Sequence, residues 1–107
     1  MTRRRVLLDE NIAVQLRLWM PRVAAVSVEY MGWKAVRNGE LLRQAIAEGF
    51  EVRVTADRAL ARTPRSWAPL ACVYVTSTLT LRIRASADRI EAACLAVLPG
   101  QMLTVQV

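Results

Sequence analysis

Five short apolar runs divide the chain, and what separates them fixes the kind of fold they can make. Val6-Leu7-Leu8 is continuous and apolar, the pattern of a strand buried on both faces in a parallel sheet. Val23 to Val28 is β-branched and apolar and reads as a second strand. Val52, Val54 and Thr55 make a third, which ends at Ala56-Asp57. Leu70 to Val75 is a fourth, and Met102 to Val107, after the Pro99-Gly100 break, is a fifth. Between the first two, Ile12, Leu16 and Trp19 recur on one helical face, with Asn11 able to cap it and Pro21 ending it. Gly32-Trp33 begins a connection to Asn38, an N-cap residue for a helix with Glu40 in its first turn. Leu41, Leu42, Ala45 and Ile46 form that helix's apolar stripe, and Gly49 is its natural stop.

The second half is less regular. Residues 58–68 are a basic, Pro-containing connector. Thr78 to Arg84 alternates like a strand, yet Leu79, Ile83, Ser86, Ile90, Ala93 and Val97 keep helical spacing. The helix accounts for more residues and is preferred. Strands alternating with helices predict an α/β fold, a mainly parallel five-stranded sheet with helices on both faces, in one domain spanning 1–107. Arg53 interrupts the third strand, which places that strand at an edge or under thin cover.

Composition removes several chemistries. The chain contains no His, so mechanisms that need a His base, triad or ligand are excluded. Its two cysteines, Cys72 and Cys94, lie in apolar surroundings without a CxxC pair, so no zinc site can be built from them. They read as reduced core thiols, which suits a cytoplasmic protein. No apolar run approaches the ~18 residues of a membrane span. Arg3-Arg4-Arg5 reads as a solvated start, and Asp9-Glu10 end the apolar run behind it too early for a signal peptide. The net charge is +6, and fourteen of the fifteen basic residues are Arg. That surplus favours an anionic partner: nucleic acid, anionic lipid or an acidic protein.

The acids have a pattern. Sites in open parallel sheets form at the carboxyl ends of strands, where strand order reverses. Asp9-Glu10 follow the first strand and Asp57 follows the third. Glu40 opens a helix whose start lies near the same rim. Carboxylates gathered without His repel one another unless a cation sits among them, and oxygen ligands select Mg²⁺ or Mn²⁺. A metal so held can promote phosphodiester hydrolysis. Each acid also has an ordinary reading: Asp57 as a turn former or helix cap, Glu40 as a complement to the helix dipole, Glu10 as a solvated side chain.

Four blocks in order resemble the small DUF5615 PIN-like proteins: Leu7-Leu8-Asp9-Glu10-Asn11, Gly32-Trp33, Asn38-Gly39-Glu40-Leu41-Leu42, and Val54-Thr55-Ala56-Asp57-Arg58. They cover residues 6–60, and the remainder matches in layout only. The resemblance implies a PIN-like three-layer α/β/α sandwich and a ribonuclease, the toxin of a bacterial toxin–antitoxin pair. It implies Asp9, Glu40 and Asp57 as catalytic and metal-binding acids with Glu10 beside them, and Asn11 and Thr55 in support. It also implies Mg²⁺ or Mn²⁺, an RNA substrate and an antitoxin-like partner. Ala59 stands where the family often has Asn, and a further acid usual in full PIN nucleases has no counterpart.

Two other readings stay open. One is a catalytically inactive PIN-like interaction module. The other is a receiver-like phosphoacceptor with Asp57 as acceptor and Thr76 or Ser77 as sensor, although the only Lys is Lys34, far from where such a domain needs one. Arg58, Arg62 and Arg65 are the candidate RNA contacts. Trp67 either stacks a base or joins the core, the second being the better fit. The apolar excess, with Trp19 and Met20 ending one helix, is compatible with a homodimer face.

Overall fold

In the computed structural model, which describes residues 3–107, all five apolar runs are strands and all neighbouring pairs run parallel. They are β1 (Arg5–Leu8), β2 (Ala24–Ser27), β3 (Val52–Thr55), β4 (Ala71–Val75) and β5 (Met102–Val105). The sheet order is β2-β1-β3-β4-β5, one of the common doubly wound orders. Four helices, α1 (Asn38–Ala47), α2 (Arg58–Arg62), α3 (Thr80–Ala85) and α4 (Ala87–Ala96), and a 3-10 helix (Val14–Trp19) complete the fold. The result is the three-layer α/β/α sandwich expected of a PIN-like chain.

The two faces of the sheet differ. Val6, Leu8, Val52, Val54, Val73 and Val75 alternate onto one face and pack with Leu16, Ile83, Ile90 and Cys94 from the 3-10 helix, α3 and α4. Each of these strand residues is fully buried, and burying a side chain of this size contributes roughly 1.5–3 kcal/mol. On the other face the register aligns Val26, Leu7, Arg53, Cys72 and Met102 in one row. Leu7 meets Leu41 and Ala45 of α1 together with Trp33 and Phe50, and Cys72 meets Leu60 of α2 and Trp67. This second face is therefore apolar at its sides and carries one charge in the middle.

Several expectations are corrected. Arg53 is neither at an edge nor thinly covered: β3 is the central strand, and Arg53 is only 5% exposed because its guanidinium is paired inside the fold. Asn11 does not cap a helix. The 3-10 helix begins after Ala13, and the Asn11 carbonyl oxygen instead accepts from Ala56 N–H at 3.2 Å. Asn38 is the first residue of α1 rather than its cap, which is Arg37. The buried stripe of α1 is Leu41 and Ala45; Leu42 is half-buried and Ile46 exposed. The long helix over 76–98 is broken at Ser86 into α3 and α4, and Leu79 lies exposed before α3 while Ile83, Ser86, Ile90 and Val97 are buried. The basic connector contains α2, whose N-cap is Asp57.

The basic start is also structural. Arg4 Nη1 donates to the carbonyls of Cys94 and Val97 at 2.8 and 2.7 Å, placing a cation at the carboxyl end of α4 where the helix dipole favours it. Arg5 lies in β1 with its guanidinium 4.4 Å from the centroid of Phe50. No helix among the described residues is long and apolar enough to cross a membrane.

The end of α1 supplies a test of backbone control. Gly49 has φ +81° and closes the helix through Gly49 N–H to Ile46 and Phe50 N–H to Ala45. Gly39 lies within α1 with open space where a Cβ would stand. Urea denaturation should show Gly49→Ala losing about 1–2 kcal/mol, the cost of a left-handed non-glycine residue. Gly39→Ala should gain roughly 0.5–1 kcal/mol.

Candidate functional site

The winding of the sheet reverses between β1 and β3. From β1 the chain crosses to β2 on one side, then returns past β1 to β3 on the other. The crevice outside the carboxyl ends of these strands is where doubly wound sheets place ligands. Asp9 continues β1, with its N–H donating to the Val54 carbonyl at 2.9 Å, and Asp57 follows β3 after Ala56. A cavity of about 210 Å³ opens there, and Asp9, Glu10, Asn11, Asn38, Arg53 and Asp57 contribute its polar lining. The structure thus brings together Asp9, Glu10, Asn11 and Asp57, with Thr55 beneath them.

Asp9 is only 7% exposed, and both of its carboxylate oxygens are hydrogen-bonded. Arg53 Nη2 donates to both oxygens at 3.2 and 3.1 Å, and Thr55 Oγ1 donates to Oδ2 at 2.7 Å. The same Thr55 oxygen accepts from Asp57 N–H at 3.0 Å, so one hydroxyl ties the two strand ends together. Arg53 Nη1 donates to Asn38 Oδ1, and Asn38 Nδ2 donates in turn to the backbone carbonyl of Ser66 at 2.9 Å. The network therefore links β1, β3, α1 and the loop after α2. Arg53 Nε is buried without a hydrogen-bond partner in the protein.

Glu40 is not part of this cluster. It sits in the first turn of α1, accepts from Arg43 and from Gln44 Nε2 at 3.1 Å, and does not line the cavity. The hydrogen bond from Arg43, with that from Gln44, holds its carboxyl below the ordinary Glu range. Asp57 is exposed, and its Oδ1 accepts from Leu60 N–H at 3.2 Å as the cap of α2. Among the described residues no three acids or cysteines lie close enough to hold a metal ion. As arranged, Asp9 and Glu40 each have an arginine as partner and Asp57 caps a helix. The positive charge beside Asp9 is already supplied by a guanidinium, and the third acid faces elsewhere.

The basic residues divide. Arg58 and Arg62 lie four apart on α2 and line a second cavity, about 390 Å³, with Tyr74 and Thr104. Arg65 lines a different one with Pro69 and Pro99. Trp67 is buried, and its Nε1 donates to the Gly100 carbonyl at 3.0 Å, so it belongs to the core. Lys34 is exposed in the loop after β2. Cys72 and Cys94 are free, buried thiols, and burial pushes both up to about 12.

Sequence reasoning missed Arg53 and Asn38 as site residues. The signal for Arg53 was present: a guanidinium in a β-branched strand two residues before Thr55 must find a carboxylate if the strand is central. Comparison of the chain with family models, with curated proteins and with solved structures finds no match.

Removing one partner of the central pair leaves the other charge buried. Asp9→Asn and Arg53→Leu should each destabilise the protein by about 3–5 kcal/mol in urea titrations. The double variant should lose clearly less than the sum of the two. Thiol chemistry gives an independent check of burial. With both groups near 12, the thiolate is scarce at neutral pH. A water-soluble disulfide reagent should therefore modify Cys72 and Cys94 only after denaturant opens the fold, and modification of the native protein within seconds would contradict the packing.

Proposed function

We propose that this chain is a PIN-like interaction module that binds RNA without cleaving it. The observation that carries this reading is the Arg53–Asp9 pair. A guanidinium that is 5% exposed, bonded to both oxygens of Asp9, stands where a carboxylate-bound cation would have to be. Asp57 works as a helix cap and Glu40 belongs to a surface ion pair. Of the acids of the resemblance, Asp9 and Asp57 are thus held by contacts within the fold and Glu40 by its neighbours on α1, while Glu10 lines the cavity; Ala59 stands in place of the family's usual Asn. The anionic partner is supported by the charge: fifteen basic residues stand against nine acids, and Arg58 and Arg62 are exposed and outside every ion pair among the described residues. RNA is the partner the resemblance implies, with an antitoxin-like protein as a second macromolecule and the reducing cytoplasm as the compartment that suits two free thiols.

One observation favours a second reading, a Mg²⁺- or Mn²⁺-dependent ribonuclease acting as a toxin. Asp9, Glu10 and Asp57 do line a single cavity at the switch point of the sheet.

End-labelled RNA incubated with purified protein and Mg²⁺ or Mn²⁺ separates the two. The module should bind the RNA and leave it intact, and addition of EDTA should change nothing. Metal-dependent cleavage by the wild type that is abolished in both Asp9→Asn and Asp57→Asn would establish the ribonuclease instead.

A further inference from the structure

The register that aligns the strand ends carries a second consequence, at the other half of the same sheet face. Thr55 pairs with Tyr74 and Tyr74 with Thr104, and Asp9 extends the same row from β1. The acidic cavity and the ground beyond it are therefore one continuous row at the carboxyl ends of the strands. Helix α2 lies over the inner part of this face, where its Leu60 packs with Cys72, Trp67 and Met102. It leaves the outer part uncovered: Tyr74 is half-buried and Thr104 exposed.

Two arginines border that opening. Arg58 and Arg62 stand one helical turn apart, so their side chains leave the same face of α2. Both are exposed, and neither has an acidic partner within ion-pair distance among the described residues. With Tyr74, Thr76, Met102 and Thr104 they line a cleft of about 390 Å³ that no acid borders. Thr76 Oγ1 already accepts from Val107 N–H, which leaves its hydroxyl proton for a ligand acceptor. The cleft combines guanidinium groups one turn apart on α2 with an aromatic ring and hydroxyls from β4, β5 and the residue after β4.

We propose that this cleft is the binding site for a single-stranded RNA segment, with Arg58 and Arg62 on backbone phosphates and a base stacked on Tyr74. The proposal rests on the RNA-binding reading above and names its site and its class of RNA. Charge complementarity selects a polyanion, because the lining holds two cations and no anion. The ring selects a single strand, since bases must be unpaired to stack on a protein aromatic. The cleft's volume lies within the range of small-ligand sites, which suits one nucleotide at a time. Arg65 is outside it.

Fluorescence anisotropy with a labelled ten-nucleotide oligouridine, and with a duplex RNA of equal length, tests this. The wild type should bind the oligouridine, more tightly than the duplex, with affinity falling as salt rises. Arg58→Ala and Arg62→Ala should each weaken binding and make the log–log salt slope shallower by about 0.7. Tyr74→Leu should weaken binding between about 5- and 150-fold with the slope unchanged, the range set by base stacking on aromatics. Tyr74→Phe keeps the ring and should bind like the wild type, which separates stacking from any loss of fold. Arg65→Ala should have the smallest effect of the arginine variants. Binding of the oligouridine that survives Arg58→Ala, Arg62→Ala and Tyr74→Leu unchanged would overturn the cleft while leaving RNA binding intact. Equal or tighter binding of the duplex would overturn the single-strand assignment. No binding of either RNA would overturn the reading on which the cleft rests.

Discussion

The arrangement of this molecule depends on one buried ion pair. Arg53 lies in the middle strand of the sheet, on a face otherwise formed by Leu7, Val26, Cys72 and Met102, and its guanidinium meets Asp9 at the end of the neighbouring strand. Neither charge can be buried alone, because desolvating a single ion costs several kcal/mol. Each therefore dictates the position of the other, and Thr55, Asn38 and Asp57 are arranged around the result. A pair of this kind need not add stability relative to a matched apolar pair. What it does fix is register: Leu8 beside Val54 puts Asp9 within reach of both Arg53 and Thr55.

The same pair decides how the strand-end acids act. Carboxylates at a switch point need compensating positive charge, and either a divalent cation or a protein guanidinium can supply it. Here the guanidinium does so at Asp9, while Asp57 is spent on capping α2 and Glu40 on Arg43. The basic surplus then faces outward, at Arg58 and Arg62 beside the uncovered end of the sheet. The modest net charge of +6 averages a charge-paired interior and a strongly basic surface.

Much of this architecture was legible in the chain. Continuous apolar runs locate the strands because a parallel sheet is buried on both faces, and β3 begins at Val52 as its apolar run does. Thr55 as a support for the strand-end acids was legible from the four-block resemblance, and here it bonds Asp9 and Asp57 together. What could not be read was order and orientation. Arg53 signalled an edge because a charge in a buried strand is costly, and only the tertiary partner Asp9, 44 positions away, reverses that inference. Glu40 lies in the first turn of α1 as its spacing indicates, but a helix presents successive residues to different sides, and Glu40 pairs with Arg43 and does not line the cavity. The break at Ser86 is a backbone event, φ −106° and ψ 6°, inside a stripe whose spacing continues through it, so periodicity alone could not locate it.

On the proposed reading, Arg53 and not a metal ion compensates Asp9. Isothermal titration calorimetry of Mn²⁺ into the native protein at neutral pH addresses it most directly. The account predicts no saturable binding by the wild type. Stoichiometric binding by the wild type that disappears in Asp9→Asn would contradict it.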